Sequence, residues 1–304
     1  MAYFKRTRFS GIAPAIGPKL LGDQFAQVAQ NIDFERGNLK PAKENGAAVH
    51  TVIEIKRSIY SYDFIWGEDP WEAWLEWPND YVKAVPGPIP GDPQYRLYWT
   101  GDGVPKYATQ SKILGTKGIE YQYPIPASSF ELGVPAPATA PEVDIQGEQD
   151  PDIDPVEEYA WVYTYVTQYG EEGPPSKAST LYAFTPTTNT EVDPAAPYQT
   201  ALVTCKGDVS GNVAMGVGSK IRLYRSNTGS QLTFFQYVDE KPFANSVTFY
   251  DSLLDAQLGE VLPSDTWIGP PNGKNSTYPD GSLQGLIPVA NGVMAGHVGK
   301  RLCM

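Results

Sequence analysis

The residues best suited to chemistry are acidic side chains interleaved with tryptophans between positions 66 and 77. Paired carboxylates beside aromatic platforms are what glycoside hydrolases use, with one carboxyl as acid and the other as base or nucleophile. The same residues also suit aromatic packing in a half-buried sheet or at a subunit contact, where Trp and Tyr anchor interfaces. We favour packing or contact over a sugar site. The members are Glu68, Asp69, Glu72 and Glu76 with Trp66, Trp71, Trp74 and Trp77.

A second candidate is a run of alternate carboxylates, Asp150, Asp152 and Asp154. Such carboxylates can share a hard cation such as Ca²⁺. The intervening prolines, and the lack of the Gly and terminal Glu of a helix-loop-helix calcium site, argue against that class. The sequence favours a solvated linker here, so we assign no metal-binding or cofactor-binding residue and expect no cofactor.

Other residue types that serve in catalysis are sparse. His50 and His297 are the only histidines in the sequence, so a Ser-His-Asp or Cys-His arrangement has little to draw on. Cys205 and Cys303 lie far apart without metal or redox spacing, and we expect small hydrophobes of a reducing compartment. Gly216-Val-Gly218 leads into a predicted strand and lacks the lysine of a phosphate loop. The sequence therefore predicts a protein that is not an enzyme, with no catalytic residue.

The chain that positions these residues has the composition of an all-β protein. Its 304 residues include 29 Gly, 28 Pro, 19 Tyr, 11 Phe and 7 Trp, and 19% are charged. Frequent turn formers with many aromatic residues are typical of short strands joined by tight loops. The basic start leads into no apolar signal region, and no apolar run reaches membrane-spanning length. We therefore expect a protein made in the cytosol, without a membrane-spanning segment.

The first part of the chain divides into an arm and a β body. Residues 1–45 form a predicted N-terminal arm, with a short helix indicated by Leu21, Phe25 and Val28 and a hairpin over 31–41. Residues 46–130 contain four or five predicted strands at about ten-residue spacing, which is typical of an antiparallel meander or one propeller blade. These strands are predicted at 58–66, 74–77, 81–85 and 95–99, with alternating apolar residues also at 53–59.

Residues 131–158 are predicted to form an exposed linker without regular structure. The segment holds five prolines and nine acidic residues and no basic one, so it accounts for most of the net charge of −12. Proline and like-charge repulsion oppose both helix formation and sheet pairing. An acidic wall that faces passing DNA without binding it is the alternative to a solvated linker. The rest of the sequence shows no basic face of the kind that grips phosphates.

Residues 159–263 are predicted to form a second domain, and residues 264–304 to return to the β body with one more strand near 286–289. The pattern Tyr163–Ser176, followed by Ile221–Ser226 and Phe249–Asp251, resembles a fibronectin type III module. The resemblance covers this region alone and implies an immunoglobulin-like sandwich. It implies no chemistry.

The flanking regions resemble bacteriophage tail-tube or nozzle proteins in the style of podovirus tail tubular protein B. The resemblance rests on Phe9-Ser-Gly11, Ala26–Asn31, Gly37–Pro41 and Arg96–Gly103. It implies a β-propeller-like body interrupted by an inserted sandwich, with several copies around a DNA exit channel. Proteins of this kind run longer, and this chain stops at 301–304 within a predicted strand. We therefore expect neighbouring copies or a second polypeptide to complete the body.

These observations lead to one functional hypothesis and one alternative. The hypothesis is a virion component of a phage tail or neck, assembled in the host cytoplasm, that forms a ring, most simply a hexamer, and meets neighbours such as an adaptor. DNA would pass through it without sequence-specific binding. The alternative is a carbohydrate-binding or glycan-cleaving tail-spike module. An open sheet leaves edge strands to be covered, so we expect a contact well over ~1,000 Å² at residues 1–45 and 283–304.

Overall fold

The computed structural model describes residues 11–17, 19–22, 24–28, 32–33, 40–41, 57–115, 128–150, 152, 157–186, 199–209, 211–228, 233–273, 280–289 and 293–304. Two units emerge from its contacts, Met1–Ile53 and Glu54–Met304. The described elements are almost all strands, most of them in antiparallel sheets. The predicted all-β class is confirmed.

The first unit contains two short strand pairs in its described part. β1 (Gly11–Ile12) pairs in parallel with β2 (Phe25–Ala26). β3 (Ile32–Asp33) pairs antiparallel with β4 (Lys40–Pro41), which confirms the hairpin predicted over 31–41.

The short helix predicted from Leu21, Phe25 and Val28 is wrong. Phe25 lies in β2, and the backbone N–H of Ala13 donates to the carbonyl of Ala26 at 2.8 Å. The backbone of this segment is therefore engaged with β1 and its extension. The apolar spacing that suggested a helix is too short to outweigh this pairing.

The second unit begins with a hairpin and a separate four-stranded meander. β5 (Ser58–Trp66) and β6 (Asp69–Trp77) form the antiparallel hairpin, joined by a tight turn in which Gly67 has a φ of 69°. The meander consists of β7 (Lys83–Pro86), β8 (Leu97–Thr100), β9 (Lys106–Ala108) and β10 (Phe130–Glu131) in chain order, with the short helix α1 (Gln110–Leu114) after β9.

The hairpin and the meander share one core. Side chains alternate across a strand, so one face of the hairpin is apolar and buried. It packs against Leu97 and Trp99 of β8 and against Ile113 and Leu114 of α1. The sequence predicted a single meander over residues 46–130, whereas the structure has two sheets in contact. Among the described strands, those of the hairpin pair only with each other, and the apolar face of the hairpin packs against the meander.

The third group of strands forms the predicted sandwich. One sheet has the order β11-β15-β18 and the facing sheet has the order β13-β16-β17, with the short pair β12–β14 beside them. Trp161, Tyr163 and Ile221 of one sheet share a core with Val203 and Phe249 of the other, which confirms a sandwich. The strands are β11 (Glu142–Gly147), β12 (Glu158–Tyr159), β13 (Trp161–Val166), β14 (Tyr182–Ala183), β15 (Gln199–Lys206), β16 (Lys220–Thr228), β17 (Thr233–Pro242) and β18 (Ser246–Asp251). A 3-10 helix, Asp255–Gln257, follows β18.

The predicted exposed linker, residues 131–158, is wrong in its described part. β11 lies within it and pairs with β15 along its whole length as an edge strand of the sandwich. Val143 and Ile145 pack against the core, whereas Glu142 and Asp144 alternate with them and face solvent. Val134 is also buried in this core. The like charges do not prevent pairing, because every second side chain of an edge strand remains in water.

The chain ends in a three-stranded antiparallel sheet. β19 (Gln284–Val289), β20 (Val293–Val298) and β21 (Arg301–Cys303) follow one another in chain order. β19 lies against β7 and β8, and the backbone N–H of Leu286 donates to Thr100 Oγ1 at 3.3 Å. The return to the β body is confirmed, with two more strands than the sequence predicted. In the part of the chain that the structure describes, no helix is long and apolar enough to span a membrane.

Candidate functional site

The tryptophans of residues 66–77 are split between the two faces of the β5–β6 hairpin. Trp71 and Trp77 share the inner face, and Trp77 is 1% exposed beside Trp99, with ring centroids 5.9 Å apart. Trp74 lies on the outer face and is 38% exposed. The sequence predicts that Trp66, Trp74 and Trp77 are mostly buried, either in the sheet or between subunits. Burial in the sheet is confirmed for Trp77, burial of Trp74 between subunits stays a prediction, and the side chain of Trp66 lies outside the described part.

The carboxylates of this cluster do not converge on a row of aromatic platforms. Glu72 and Glu76 flank Trp74 on the outer face, but Glu76 is buried, and Glu72 accepts a hydrogen bond from Ser61 Oγ at 2.6 Å. Glu68 and Asp69 are exposed at the turn. The arrangement therefore matches the packing interpretation more closely than a stacked sugar groove.

A shallow pocket of about 400 Å³ lies at the turn end of the hairpin. Trp71, Phe64 and Tyr95 line it, with Asp63 and Glu72 at its rim. Asp63 and Glu72 are cross-strand partners in the β5–β6 pair. This pocket is the place where the carbohydrate alternative would act.

Of the alternate carboxylates at 150, 152 and 154, Asp150 contacts the local backbone. Asp150 is buried, and its Oδ1 accepts the backbone N–H of Asp152 at 3.0 Å. The prediction of a solvated linker is wrong for Asp150, whereas Asp152 is exposed and Asp154 lies outside the described residues. Among the residues that the structure describes, no group of three or more His, Cys, Asp or Glu is placed to hold a metal ion.

The remaining described candidates are divided between the C-terminal sheet, where His297 and Cys303 lie on the paired strands β20 and β21, and the sandwich core, which holds Cys205. His297 is exposed on β20 opposite Gln284, and His50 lies outside the described residues. Cys205 is buried in the sandwich core, and this burial raises the pKa of its thiol, which keeps it protonated and unreactive. Cys303 is half-buried on β21, and both cysteines are free. Gly216–Gly218 precede β16, as predicted.

A buried ionic cluster joins the two sheets of the sandwich, and the sequence did not predict it. Arg225 on β16 and Asp251 at the end of β18 are fully buried, with Nη1 and Oδ1 2.9 Å apart. Arg225 Nη2 also donates to the carbonyl of Leu253 at 2.8 Å and to Asp255 Oδ1 at 2.9 Å. Trp161 Nε1 donates to the second oxygen of Asp251 at 2.8 Å.

Aromatic rings enclose the same guanidinium. The Cζ atom of Arg225 lies 5.1 Å from the ring centroid of Tyr159 and 5.3 Å from that of Phe184. Tyr159 donates to Glu157 or Asp255, whose carboxylate oxygens lie 2.7 and 2.9 Å from its hydroxyl. Burial, and then these two carboxylates, raise the pKa of Tyr159. The cluster ties β16, β18 and the 3-10 helix together, with Arg225 and Asp251 shielded from solvent and Asp255 at its partly exposed edge.

A second polar contact fixes the sandwich to the meander. Glu171 accepts from Arg96 Nη1 at 3.1 Å and from the Tyr107 hydroxyl at 3.0 Å. Burial, and then the charge of Glu171, raise the pKa of Tyr107. The Arg96 guanidinium lies 5.8 Å from the Tyr169 ring centroid, and Ala214 of the sandwich is buried in the core of the meander. The two parts therefore have a packed junction with both apolar and ionic contacts.

A cleft of about 790 Å³ lies in the second unit. It lies between the C-terminal sheet, the segment 267–271 and the loop 171–174, and we call it the C-terminal cleft. Trp267 and Ile268 line it and are exposed, as are Leu302 at 71% and Met304 at 84%. An exposed apolar patch of this kind marks interaction sites in soluble proteins.

Polar groups at the C-terminal cleft are mainly acidic. Glu171 and Glu172 line it together with Arg301, whose guanidinium lies 3.8 Å from Asp280. A smaller adjoining pocket of about 450 Å³ shares residues 132–134 and 267–270 and adds Glu131. The assembly contact predicted at 283–304 stays a prediction, and the sequence analysis did not identify Trp267 and Ile268 as part of a cleft. The sequence feature that could have indicated them is a pair of large apolar residues next to Gly269, Pro270 and Pro271, in a stretch where few buried side chains are expected.

Comparison with known proteins adds no relative to these observations. No protein-family model matches the chain, and no curated protein is similar to it. Any proposal for the function of the chain therefore depends on its own sequence and geometry.

Proposed function

We propose that the chain is a structural component of a bacteriophage tail or neck that assembles with copies of itself into a ring, most simply a hexamer, around the DNA channel. Its role is architectural and not enzymatic. It is assembled in the host cytoplasm, resides in the virion, and contacts neighbouring proteins such as an adaptor. The motif resemblance of residues 9–11, 26–31, 37–41 and 96–103 to nozzle proteins supports this assignment.

The observation that carries the proposal is the exposed apolar surface of residues 267–304. Large apolar side chains lie outside the core on three segments of this region, and β21 forms one edge of its sheet. Uncovered apolar surface beside an open strand edge favours pairing with another chain. The exposed residues are Trp267, Ile268, Ile287, Val289, Val293, Leu302 and Met304.

The charge distribution suits a conduit for DNA. Residues 1–53 carry seven basic and four acidic side chains, which gives this segment a net charge of +3. Because the whole chain has a net charge of −12, the remaining residues carry −15. A strongly acidic unit repels the phosphate backbone, and DNA can pass along such a surface without being gripped. The packed junction at Glu171 supports the same role, because a ring component transmits load through fixed contacts between its parts.

The test is the size and shape of the purified full-length chain. Light scattering after gel filtration, native mass spectrometry and negative-stain electron microscopy are expected to show a closed ring of several copies. A chain that remains monomeric at tens of micromolar, with both termini packed on itself, contradicts the proposal.

The same sample tests the carbohydrate alternative. A trimer that binds or degrades host polysaccharide, and loses this property in Trp71→Ala, would favour a tail-spike module acting at the pocket beside Asp63 and Glu72. A ring without glycan affinity supports the architectural role.

A further inference from the structure

We propose that the C-terminal cleft binds residues Tyr3–Phe9 of a second copy of the chain, which add to the free edge of β21. The inference rests on the proposed function, because it names the contact that would link neighbouring copies in the ring. Residues 3–9 lie outside the described part of the chain, so only their sequence bears on the contact.

The cleft offers the two features that an extended peptide needs. β21 pairs with β20 on one side and, among the described strands, has no partner on the other. Unpaired backbone N–H and C=O groups at such an edge bind an added strand, and pockets beside it select the side chains. Here the pocket walls are Trp267, Ile268, Leu302 and Met304.

The occupant follows from side-chain chemistry. The sequence Tyr3-Phe-Lys-Arg-Thr-Arg-Phe9 combines three aromatic residues with three cations and contains no acid. The aromatic side chains can pack against the apolar walls of the cleft. The cations are attracted by the second unit, residues 54–304, whose net charge is −15. The acidic groups at the cleft itself, Glu171 and Glu172, are already paired with Arg96 and Arg222, so the attraction is carried mainly by the wider field.

The geometry of such a contact generates the proposed assembly. An arm from one copy in the cleft of the next is a head-to-tail contact, in which each copy gives one surface and receives another. Repeated contacts of this type close into a ring when the rotation between copies allows it. A single contact type therefore accounts both for the basic arm and for the exposed cleft.

Site-specific photocrosslinking in the full-length chain tests the inference. Phe4 is replaced by p-benzoylphenylalanine, the purified protein is sized, and it is then irradiated. We expect a band at twice the mass of the chain on a denaturing gel, with crosslinked peptides from residues 267–271 or 293–304.

Matched variants make the test specific to the cleft. Leu302→Asp should lower the yield of the doubled band about tenfold, the effect of losing about 1.4 kcal/mol of contact. Leu181→Asp is the control, because Leu181 is 62% exposed on the sandwich, similar to Leu302. If Leu302→Asp does not fold, Met304→Asp replaces it, and circular dichroism verifies each variant.

The outcomes separate this inference from the proposed function. A ring whose crosslinks map elsewhere, or stay within one chain, overturns the inference and leaves the ring proposal standing. A ring in which Leu302→Asp and Leu181→Asp give equal yields overturns it as well. A monomeric protein contradicts the proposed function and, with it, this contact.

Discussion

Replacing Arg225 with methionine removes the positive charge from the buried ionic cluster of the sandwich. Among the described residues of that cluster, Arg225 is the only cation. Asp251 then remains fully buried without its ion-pair partner. Methionine fills much of the space of the arginine stem, so the change tests charge more than volume. The result bears on whether this cluster holds the sandwich together.

The expected loss is about 3–4 kcal/mol of the free energy of unfolding. Breaking a buried pair by removing one partner costs about 3–5 kcal/mol, because the remaining charge stays in a low-dielectric interior. Asp251 keeps the indole N–H of Trp161 and accepts the backbone N–H of Leu253 at 3.2 Å, which places the loss in the lower half of that range. Contact of the guanidinium with two aromatic rings is also lost.

A double-mutant cycle isolates the pair. Asp251→Asn keeps an acceptor for Trp161 Nε1, and the double variant Arg225→Met/Asp251→Asn removes both charges together. We expect the double variant to be at least about 2 kcal/mol more stable than the sum of the single losses predicts. Arg225 Nε has no hydrogen-bond partner in the native cluster, so the pair is already imperfectly satisfied and its joint removal costs less.

Urea unfolding at pH 7, followed by tryptophan fluorescence and far-UV circular dichroism, measures these differences at constant m value. Hydrogen exchange of the β15 and β16 amides reports the sandwich alone, so separate unfolding of other parts does not confuse the result. A loss below about 1 kcal/mol for Arg225→Met, or strictly additive effects in the cycle, would refute the view that the two charges depend on each other.

Three further predictions, which use five substitutions, test other parts of the fold by urea unfolding. Trp77→Ala should cost about 3–5 kcal/mol and Trp74→Ala about 1 kcal/mol or less, because the first is buried and the second lies on the outer face; equal losses would contradict the assigned faces. Gly101→Ala should cost at least about 1 kcal/mol more than Gly67→Ala, since both have positive φ but a Cβ at 101 would lie 2.7 Å from a backbone oxygen. Hydrogen bonds from two basic partners hold the pKa of Glu240 below its ordinary value of 4.5, so its contribution is present at neutral pH and is lost as the pH falls below 4.5 through the lowered pKa. Glu240→Gln should remove that pH dependence, about 1 kcal/mol or less, and an unchanged stability profile between pH 2 and 6 would contradict the assignment.

Strands with a clear two-residue period were predictable from the sequence. β5 spans the predicted residues 58–66, and β13, β16 and β18 include parts of the segments 163–176, 221–226 and 249–251 that indicated the sandwich. In each of them aromatic or β-branched residues recur on one face and turn formers follow. Local pattern was sufficient because each strand presents its own apolar face to a core.

β11 shows where local pattern misled. Val143 and Ile145 carry the period of a strand, but nine acids and five prolines over 131–158 dominate the composition. The prolines described in this segment precede the strand instead of interrupting it, and the acids fall on its solvent side. Whether a charged segment pairs depends on a partner strand, here β15, that lies about sixty residues away and is not visible in the local sequence.

The sites were less predictable than the fold, because each is assembled from distant segments. Arg225 and Asp251 are 26 residues apart on facing sheets, and Trp161 lies 90 residues from Asp251. The C-terminal cleft combines three loops or strands from residues 171–174, 267–271 and 293–304. The contact predicted at 283–304 stays a prediction, and it came from the topological consideration that an open sheet needs a covered edge, not from a motif.

Polar and apolar groups are distributed differently in the sandwich core and at the C-terminal cleft. In the sandwich, Arg225, Asp251 and Trp161 satisfy one another inside the core, so they contribute to stability and are not accessible to a ligand. At the C-terminal cleft, in contrast, apolar side chains are exposed. Leu302 and Met304 lie in solvent beside the edge strand β21. Exposing such residues costs free energy that a monomer could avoid by burying them. The cost is offset if a second chain covers them, which is the property expected of a component made to assemble.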